Sequence, residues 1–168
     1  MGTTERRRRL RRTLDETDVL IIEALNQDGR RSFAALARDL DLNEATVRSR
    51  FARLTRRGVV QVVVLADALA LGLVFAEVGI KVRGGTVTSV VTELQKVPEI
   101  DYIAVCAGSF DLLVEIVCVD NEHMLQVLEE RIRPVEGVDA VETFTILDVP
   151  KHSYRWTRLL ASNVSFPE

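Results

Sequence analysis

Apolar positions over residues 14–58 recur at helical spacing. After residue 59 they change to β-branched runs, so two kinds of structure follow one another along the chain. Val19, Ile22 and Leu25 mark the inner face of a first helix, Leu14 to Gln27. Asp15 caps it, with Asp18 three residues on, and Asp28-Gly29 closes it. Ser32 caps a short second helix, Phe33 to Leu40, with Phe33, Leu36, Ala37 and Leu40 inward, and Asp41-Leu42 turns the chain. Asn43 caps a third helix, Glu44 to Arg57. Its buried stripe is Val47, Phe51 and Leu54, and Gly58 supplies the left-handed stop. Three helices of these lengths make a helix-turn-helix domain. The third carries Ala45, Thr46, Arg48, Ser49, Arg53 and Arg56 off its buried stripe, the build of a helix with one side on its domain and the other in a DNA groove.

Val59 to Leu65, VVQVVVL, reads as a strand joining the two halves. A valine strand without a partner is an aggregation hazard, so it is expected to pair with the same strand of a second chain. Beyond it the pattern predicts a strand over Leu73 to Val82, a turn at Arg83-Gly84-Gly85, and a helix over Thr86 to Lys96 ended by Pro98. It then predicts strands over Ile100 to Ala107 and Phe110 to Val119, joined at Gly108-Ser109. A helix over Glu122 to Ile132 follows, capped by Asn121, with Met124, Leu125, Leu128 and Ile132 buried. Val138 to Asp148 is the last strand. The order βαββαβ is the ferredoxin-like arrangement, with helices on one face of the sheet. Phe110, Leu112, Val114 and Ile116 alternate with Leu113, Val117 and Val119, so both faces read as apolar, and the uncovered one calls for a second copy of the chain.

The expected fold is therefore α+β: a winged helix-turn-helix domain followed by a ferredoxin-like domain. The divisions are a basic arm (1–13), the helix-turn-helix (14–58), a linker strand (59–72), a sensing and oligomerisation domain (73–149) and a tail (150–168). Net charge is −3, but the average hides a split. Residues 1–65 hold 14 Arg against 9 Asp and Glu, giving +5, and residues 66–168 hold 8 basic against 16 acidic residues, giving −8. That pattern suits a basic domain on a polyanion and an acidic one with another task. The run Arg6 to Arg12 reads as a disordered solvated tail, as an arm that touches phosphates nonspecifically, or as both. No apolar stretch follows it, so a secretory signal is not expected and the cytoplasm is the expected location. Cys106 lies opposite Asp111 on the hairpin reading, so the two cysteines, Cys106 and Cys118, are expected as free buried thiols. His123 and His152 form no ligand-spaced cluster with them; neither a metal nor a cofactor is expected.

The segments LDETDVLIIEALNQDGRRSFAALA and LNEATVRSRFARLTRRGVV, then IKVRGG, AGSFDLLVEIV and VEGVDAVETFTIL, occur in order from Leu14 to Val149. Together they resemble the Lrp/AsnC family, the feast/famine regulators of bacteria and archaea. The resemblance implies a transcription factor that dimerises through its C-terminal domain and often assembles into tetramers or octamers. It also implies an amino acid or related metabolite as effector, and double-stranded DNA with a pseudo-palindromic site as partner. Siroheme decarboxylases share this two-domain architecture and are the enzyme alternative. They would call for basic residues and histidines around an anionic pocket, where this C-terminal half is acidic. A regulator that answers only to its own concentration is the other alternative.

Arg48 and Ser49 are the expected base readers, since an arginine can donate twice to guanine. Thr46 and Arg53 are expected on phosphates, Ala45 permits close approach, and Ser32 and Asn43 stand at the two helix starts facing the same partner. Arg50 lies nearer the buried side and reads as structural. A surface helix of an interaction domain would explain the same segment less specifically. The resemblance places an effector against Gly108, Ser109, Phe110 and Asp111. There, turn amides can hold a carboxylate, and Asp111 can hold an ammonium or orient the loop. An ordinary tight turn also explains Gly-Ser. Thr143 matches a threonine near the family's effector, but Val141 stands where the family commonly has another threonine.

Overall fold

The computed structural model describes residues 14–153. The basic run Arg6–Arg12 and the aromatic residues Tyr154 and Trp156 lie outside the described residues. The chain divides after Val64 into two compact units.

The first unit holds α1 (Glu16–Gln27), α2 (Phe33–Asp39) and α3 (Glu44–Arg56). Each begins at the expected cap. Asp15 and Asp18 form a reciprocal capping box, Ser32 accepts from the Ala35 amide, and Asn43 accepts from the Thr46 amide at 2.7 Å. Gly58, at φ 67°, ends α3, and Asp41, at φ 52°, carries the left-handed step between α2 and α3. Ile21, Leu36, Ala37 and Val47 form the core, with Ala24, Leu25, Phe33, Leu40 and Leu42 packed on it. Ile21 is fully buried, whereas Ile22, the expected inward residue, is half-buried. Each such aliphatic side chain removed from water stabilises by about 1.5–3 kcal/mol.

The second unit is βαββαβ, as expected: β1 (Val74–Val82), α4 (Val87–Leu94), β2 (Ile100–Val105), β3 (Leu112–Cys118), α5 (Asn121–Gln126) and β4 (Val138–Thr145). The four strands make one antiparallel sheet in the order β2-β3-β1-β4. Ala76, Val78, Ile80, Leu112, Val114, Ile116 and Cys118 line its covered face. Val90, Leu94, Val97, Val127, Leu128 and Ile132 cover them.

Several expectations are corrected. Asp120, not Asn121, caps α5, its carboxylate accepting from the His123 amide at 2.7 Å. The helix does not run on regularly to Ile132; residues Val127–Ile132 form a π-helical turn, closed by the Arg133 amide on the Leu128 carbonyl. Val127 is buried and Leu125 is 58% exposed, the reverse of the expectation that Leu125 is the buried residue. The run 59–65, expected to pair with the same strand of a second chain, joins no ladder within one chain, and Val62, Val63, Val64 and Leu65 are exposed. A strand needs a neighbour's amides and carbonyls, and here none is offered. The uncovered sheet face is also less apolar than expected, because Glu77 stands directly opposite Glu115, and Glu142 opposite Gly79. Cys118 is buried and Cys106 half-buried, both free. Burial pushes the Cys118 thiol up, and the charges of Glu99 and Asp120 add to the rise. Among the described residues no helix is long and apolar enough to cross a membrane, and no group of three metal-ligating side chains converges.

One contact fixes the uncovered face. The Phe110 ring lies over Gly79 so closely that a Cβ there would stand 2.8 Å from it, and the ring meets Phe144 edge-on at 6.3 Å. Gly79→Ala should therefore cost about 1–3 kcal/mol by overpacking. Adding Phe110→Ala should remove much of the penalty attributable to Gly79. Urea denaturation of the single and double variants checks both.

Candidate nucleic-acid interface and effector hairpin

The outward side of α3 is built from small and cationic residues. Ala45, Ser49, Arg48 and Arg56 are exposed, and Thr46 and Arg53 half-buried. Asn43, Ala45, Thr46, Ser49, Arg50 and Arg53 line a shallow concavity of about 440 Å³. Arg48 is held at its guanidinium. Its guanidinium donates to Glu44 one turn back at 2.5 Å and lies 5.3 Å from the centre of the Phe33 ring, which in turn packs on Phe51. The side chain remains 63% exposed, so these contacts orient it without hiding it.

Arg50 and Arg53 face the start of α1. Arg50 Nη1 donates to both oxygens of Asp15, at 2.7 and 2.6 Å, and to Asp18 at 2.9 Å. Arg53 Nη2 donates to both oxygens of Asp18, at 2.7 and 2.6 Å. Asp18 is wholly buried. It binds α1 to α3 as well as completing the cap of α1, and local spacing announces only the cap. The structural reading of Arg50 agrees with its position. Arg53, expected on phosphate, has an acid of its own.

The hairpin between β2 and β3 closes where expected, with the Cys106 amide on the Asp111 carbonyl at 2.8 Å. Gly108 and Ser109 are exposed at its tip. Asp111 ties the hairpin to the end of β1: its amide donates to the Ile80 carbonyl, and its Oδ2 accepts from the Val82 amide at 2.8 Å. Of the two expected roles for this carboxylate, orienting the loop is in place. Phe110 is folded back over Gly79 and away from the tip. Thr143 is not brought to the hairpin. It pairs with Val78, whose side chain is in the helix-covered core, while Phe110 lies on the opposite face.

Sequence reading also missed a polar cluster on the second unit. Glu99 accepts from Arg131 Nη1 at 2.9 and 2.7 Å and meets His123 Nε2 at 3.2 Å, while His123 Nδ1 faces the Val119 amide at 3.4 Å. Burial acts to raise the Glu99 carboxyl. Its own amide, Arg131 and His123 outweigh that and hold it below its ordinary value. The π-helical turn that carries Arg131 is what no local spacing announced.

Comparison with known proteins gives a consistent picture. Residues 14–55 match the AsnC-type helix-turn-helix domain, and residues 75–156 the Lrp/AsnC ligand binding domain. An uncharacterised HTH-type transcriptional regulator of Pyrococcus abyssi is 31% identical over 143 residues, which span 84% of this chain and 90% of that one. The leucine response regulatory protein LrpA of Mycobacterium tuberculosis overlays with a TM-score of 0.74 at 26% identity, covering 83% of this chain and 96% of that one. A transcriptional regulator of Neisseria meningitidis, solved as a complex with L-Met, overlays with a TM-score of 0.73 at 22% identity. It covers 88% of this chain and 99% of that one, and the likeness is one of fold.

The Asp15 carboxyl reports the state of the α1–α3 contact. Partial burial acts to raise it. The Arg50 hydrogen bonds, the Asp18 amide and the charges of Arg50 and Arg53 outweigh this and hold it below its ordinary 3.8. A depressed carboxyl stabilises the fold above its unfolded value, and that contribution is lost as pH falls from about 3.8 through the lower folded value. Carbon-detected NMR titration should place the Asp15 midpoint under 3.8, and Arg50→Gln should move it back up.

Proposed function

This chain belongs to the Lrp/AsnC family of HTH-type transcriptional regulators, and from that premise we propose how it reads DNA and what it senses. The dimer binds a pseudo-palindromic site, with half-sites about one helical turn (~34 Å) apart or a multiple of it. α3 enters the major groove. The observation that carries this reading is the exposed pair Ala45 and Ser49, small enough for close approach, with Arg48 between them in sequence oriented but solvent-facing. Arg48 and Ser49 read base edges, Thr46 meets phosphate, and the amide-rich starts at Ser32 and Asn43 face the backbone.

The second unit senses a small metabolite, an amino acid or a close relative, at the hairpin Gly108–Asp111. Binding of L-Met by the Neisseria regulator supports an amino acid here. The exposed tip offers amides to a carboxylate, and the second oxygen of Asp111 is available to an ammonium. Thr143 joins this site only from another copy of the chain, since within one copy it lies on the far face. The exposed run Val62–Leu65 pairs with its counterpart in the dimer, which would remove an unpartnered apolar segment from water. The effector shifts assembly, and so DNA binding, only by favouring one state over another. The decarboxylase alternative has less support, because His123 is already engaged by Glu99 and the Val119 amide.

Arg48→Ala should weaken binding to a selected cognate duplex by about 1–3 kcal/mol, with a much smaller loss on random duplex. Equal loss on both would reduce Arg48 to a phosphate contact. Asp111→Ala should abolish the effector's influence on assembly, read by light scattering across a panel of amino acids, and leave DNA binding intact. An unchanged response would remove the hairpin from the ligand site.

A further inference from the structure

The pairing of Arg53 with Asp18 is tight but ill-fitting. A guanidinium matches a carboxylate best as a fork, two nitrogens to two oxygens. Here a single nitrogen, Nη2, straddles both oxygens of Asp18. Arg53 Nε is buried without an acceptor, the one side-chain donor left so among the described residues. An orphaned donor of that kind is costly, and a better partner would remove the cost. Asp18, by contrast, does not depend on Arg53 alone, because Arg50 Nη1 also donates to it at 2.9 Å and is held in place by Asp15. If Arg53 left, the buried carboxylate would keep a cation. Arg53 is also positioned to leave. Its side chain is 40% exposed, against 27% for Arg50, and it lines the same outward concavity as Ala45 and Ser49.

We propose that Arg53 is a reserve phosphate contact, held by Asp18 in the free protein and passed to the DNA backbone when α3 seats on its cognate site. The proposal rests on the reading of α3 as the DNA-recognition helix. Ala45, Ser49 and Arg53 fall at i, i+4 and i+8, one stripe of the helix. A phosphate comes within reach of Arg53 only when Ala45 and Ser49 are close to base edges. On random DNA α3 rides higher, and Asp18 keeps the arginine. The backbone attraction that every duplex offers is thereby held down, and one charge contact is added only where the bases fit. Asp18 is a positioning residue in this scheme: it touches no DNA, and sets when Arg53 does.

The test compares wild type, Arg53→Gln and Asp18→Asn on a selected cognate duplex and on random duplex over a range of salt. Each phosphate contact contributes about 0.9 to the slope of log K against log salt, or about fivefold in affinity near 0.15 M. Wild type should show a slope steeper by about one on the cognate site than on random DNA. Arg53→Gln should remove that difference, lowering cognate affinity about fivefold and leaving random binding nearly unchanged. Asp18→Asn, which frees Arg53, should raise random binding about fivefold with a steeper slope and change cognate binding less. Glu23→Gln makes the same charge change on α1 away from the cluster, and should not reproduce the effect. Because Asp18 is buried, its variant is read only if circular dichroism shows it folded; Arg53→Gln decides the matter without it. Equal losses on both duplexes would make Arg53 an ordinary phosphate contact, and no loss on either would make it structural; either overturns the proposal. No preferred duplex for wild type at all would instead overturn the DNA-recognition reading, and the reserve contact with it.

Discussion

The carboxylate of Asp18 is taken wholly out of water, and the first unit is arranged around that fact. An isolated buried carboxylate would be costly by several kcal/mol, so it must have cations and hydrogen-bond donors. It draws them from α3, 32 and 35 residues away in the chain. The apolar core of Ile21, Leu36, Ala37 and Val47 holds the helices together and turns the Val47–Leu54 stripe of α3 inward. The Asp18 cluster adds a directional constraint that apolar contacts lack. With Arg50 and Arg53 turned to α1, the arc opposite Val47 and Leu54 presents Ala45 and Ser49 to solvent. A buried ion pair is weak evidence for stability but a credible source of a single register, and here the register decides which residues a DNA groove would meet.

In the second unit the comparable constraint is parity. A strand sends alternate residues to opposite faces, and helices cover only one. Val78, Ile80, Leu112, Val114 and Ile116 take the covered face, which leaves Glu77, Gly79, Leu113 and Glu115 on the other. Two carboxylates placed directly opposite one another would be unfavourable if that face were sealed against plain hydrocarbon. Phe110 reduces the exposed apolar area already, by lying on Gly79, a position where any side chain would stand in its way.

Much of this was legible in the sequence where the cause is local. Caps at Asp15, Ser32 and Asn43 bond within three residues, so spacing alone discloses them. Asp120 and Asn121 are both good caps, and only the path of the chain leaving β3 selects the first. The π-helical turn answers to the core, where Val127, Leu128 and Ile132 must all be buried, and no residue in VLEERI demands it. The Arg53–Asp18 pair is long-range and was hidden behind a local reading of Asp18 as a cap. Family resemblance suggested Thr143 near the hairpin, but it could not say on which face, because that depends on the register of β4 against β1, which shifts between Lys81 and Val82.

The same hairpin shows how small a change could couple a ligand to assembly. Asp111 joins the start of β3 to the end of β1, and Val82, whose amide it accepts, pairs with Val138 at the start of β4. Three strand ends thus meet through one carboxylate. A hydrogen bond to a charged acceptor contributes roughly 1.5–3 kcal/mol. Allosteric couplings commonly amount to about 1–3 kcal/mol. An ammonium that drew Asp111 away from Val82 would exchange one interaction of the right size at a point that touches the sheet's connectivity. A ligand with equal affinity for each assembly state shifts nothing, however tight the binding, so an effector must either displace Asp111 or touch a second copy of the chain. Response to an effector is therefore to be sought in ligands that compete for that carboxylate or that join it to a second copy.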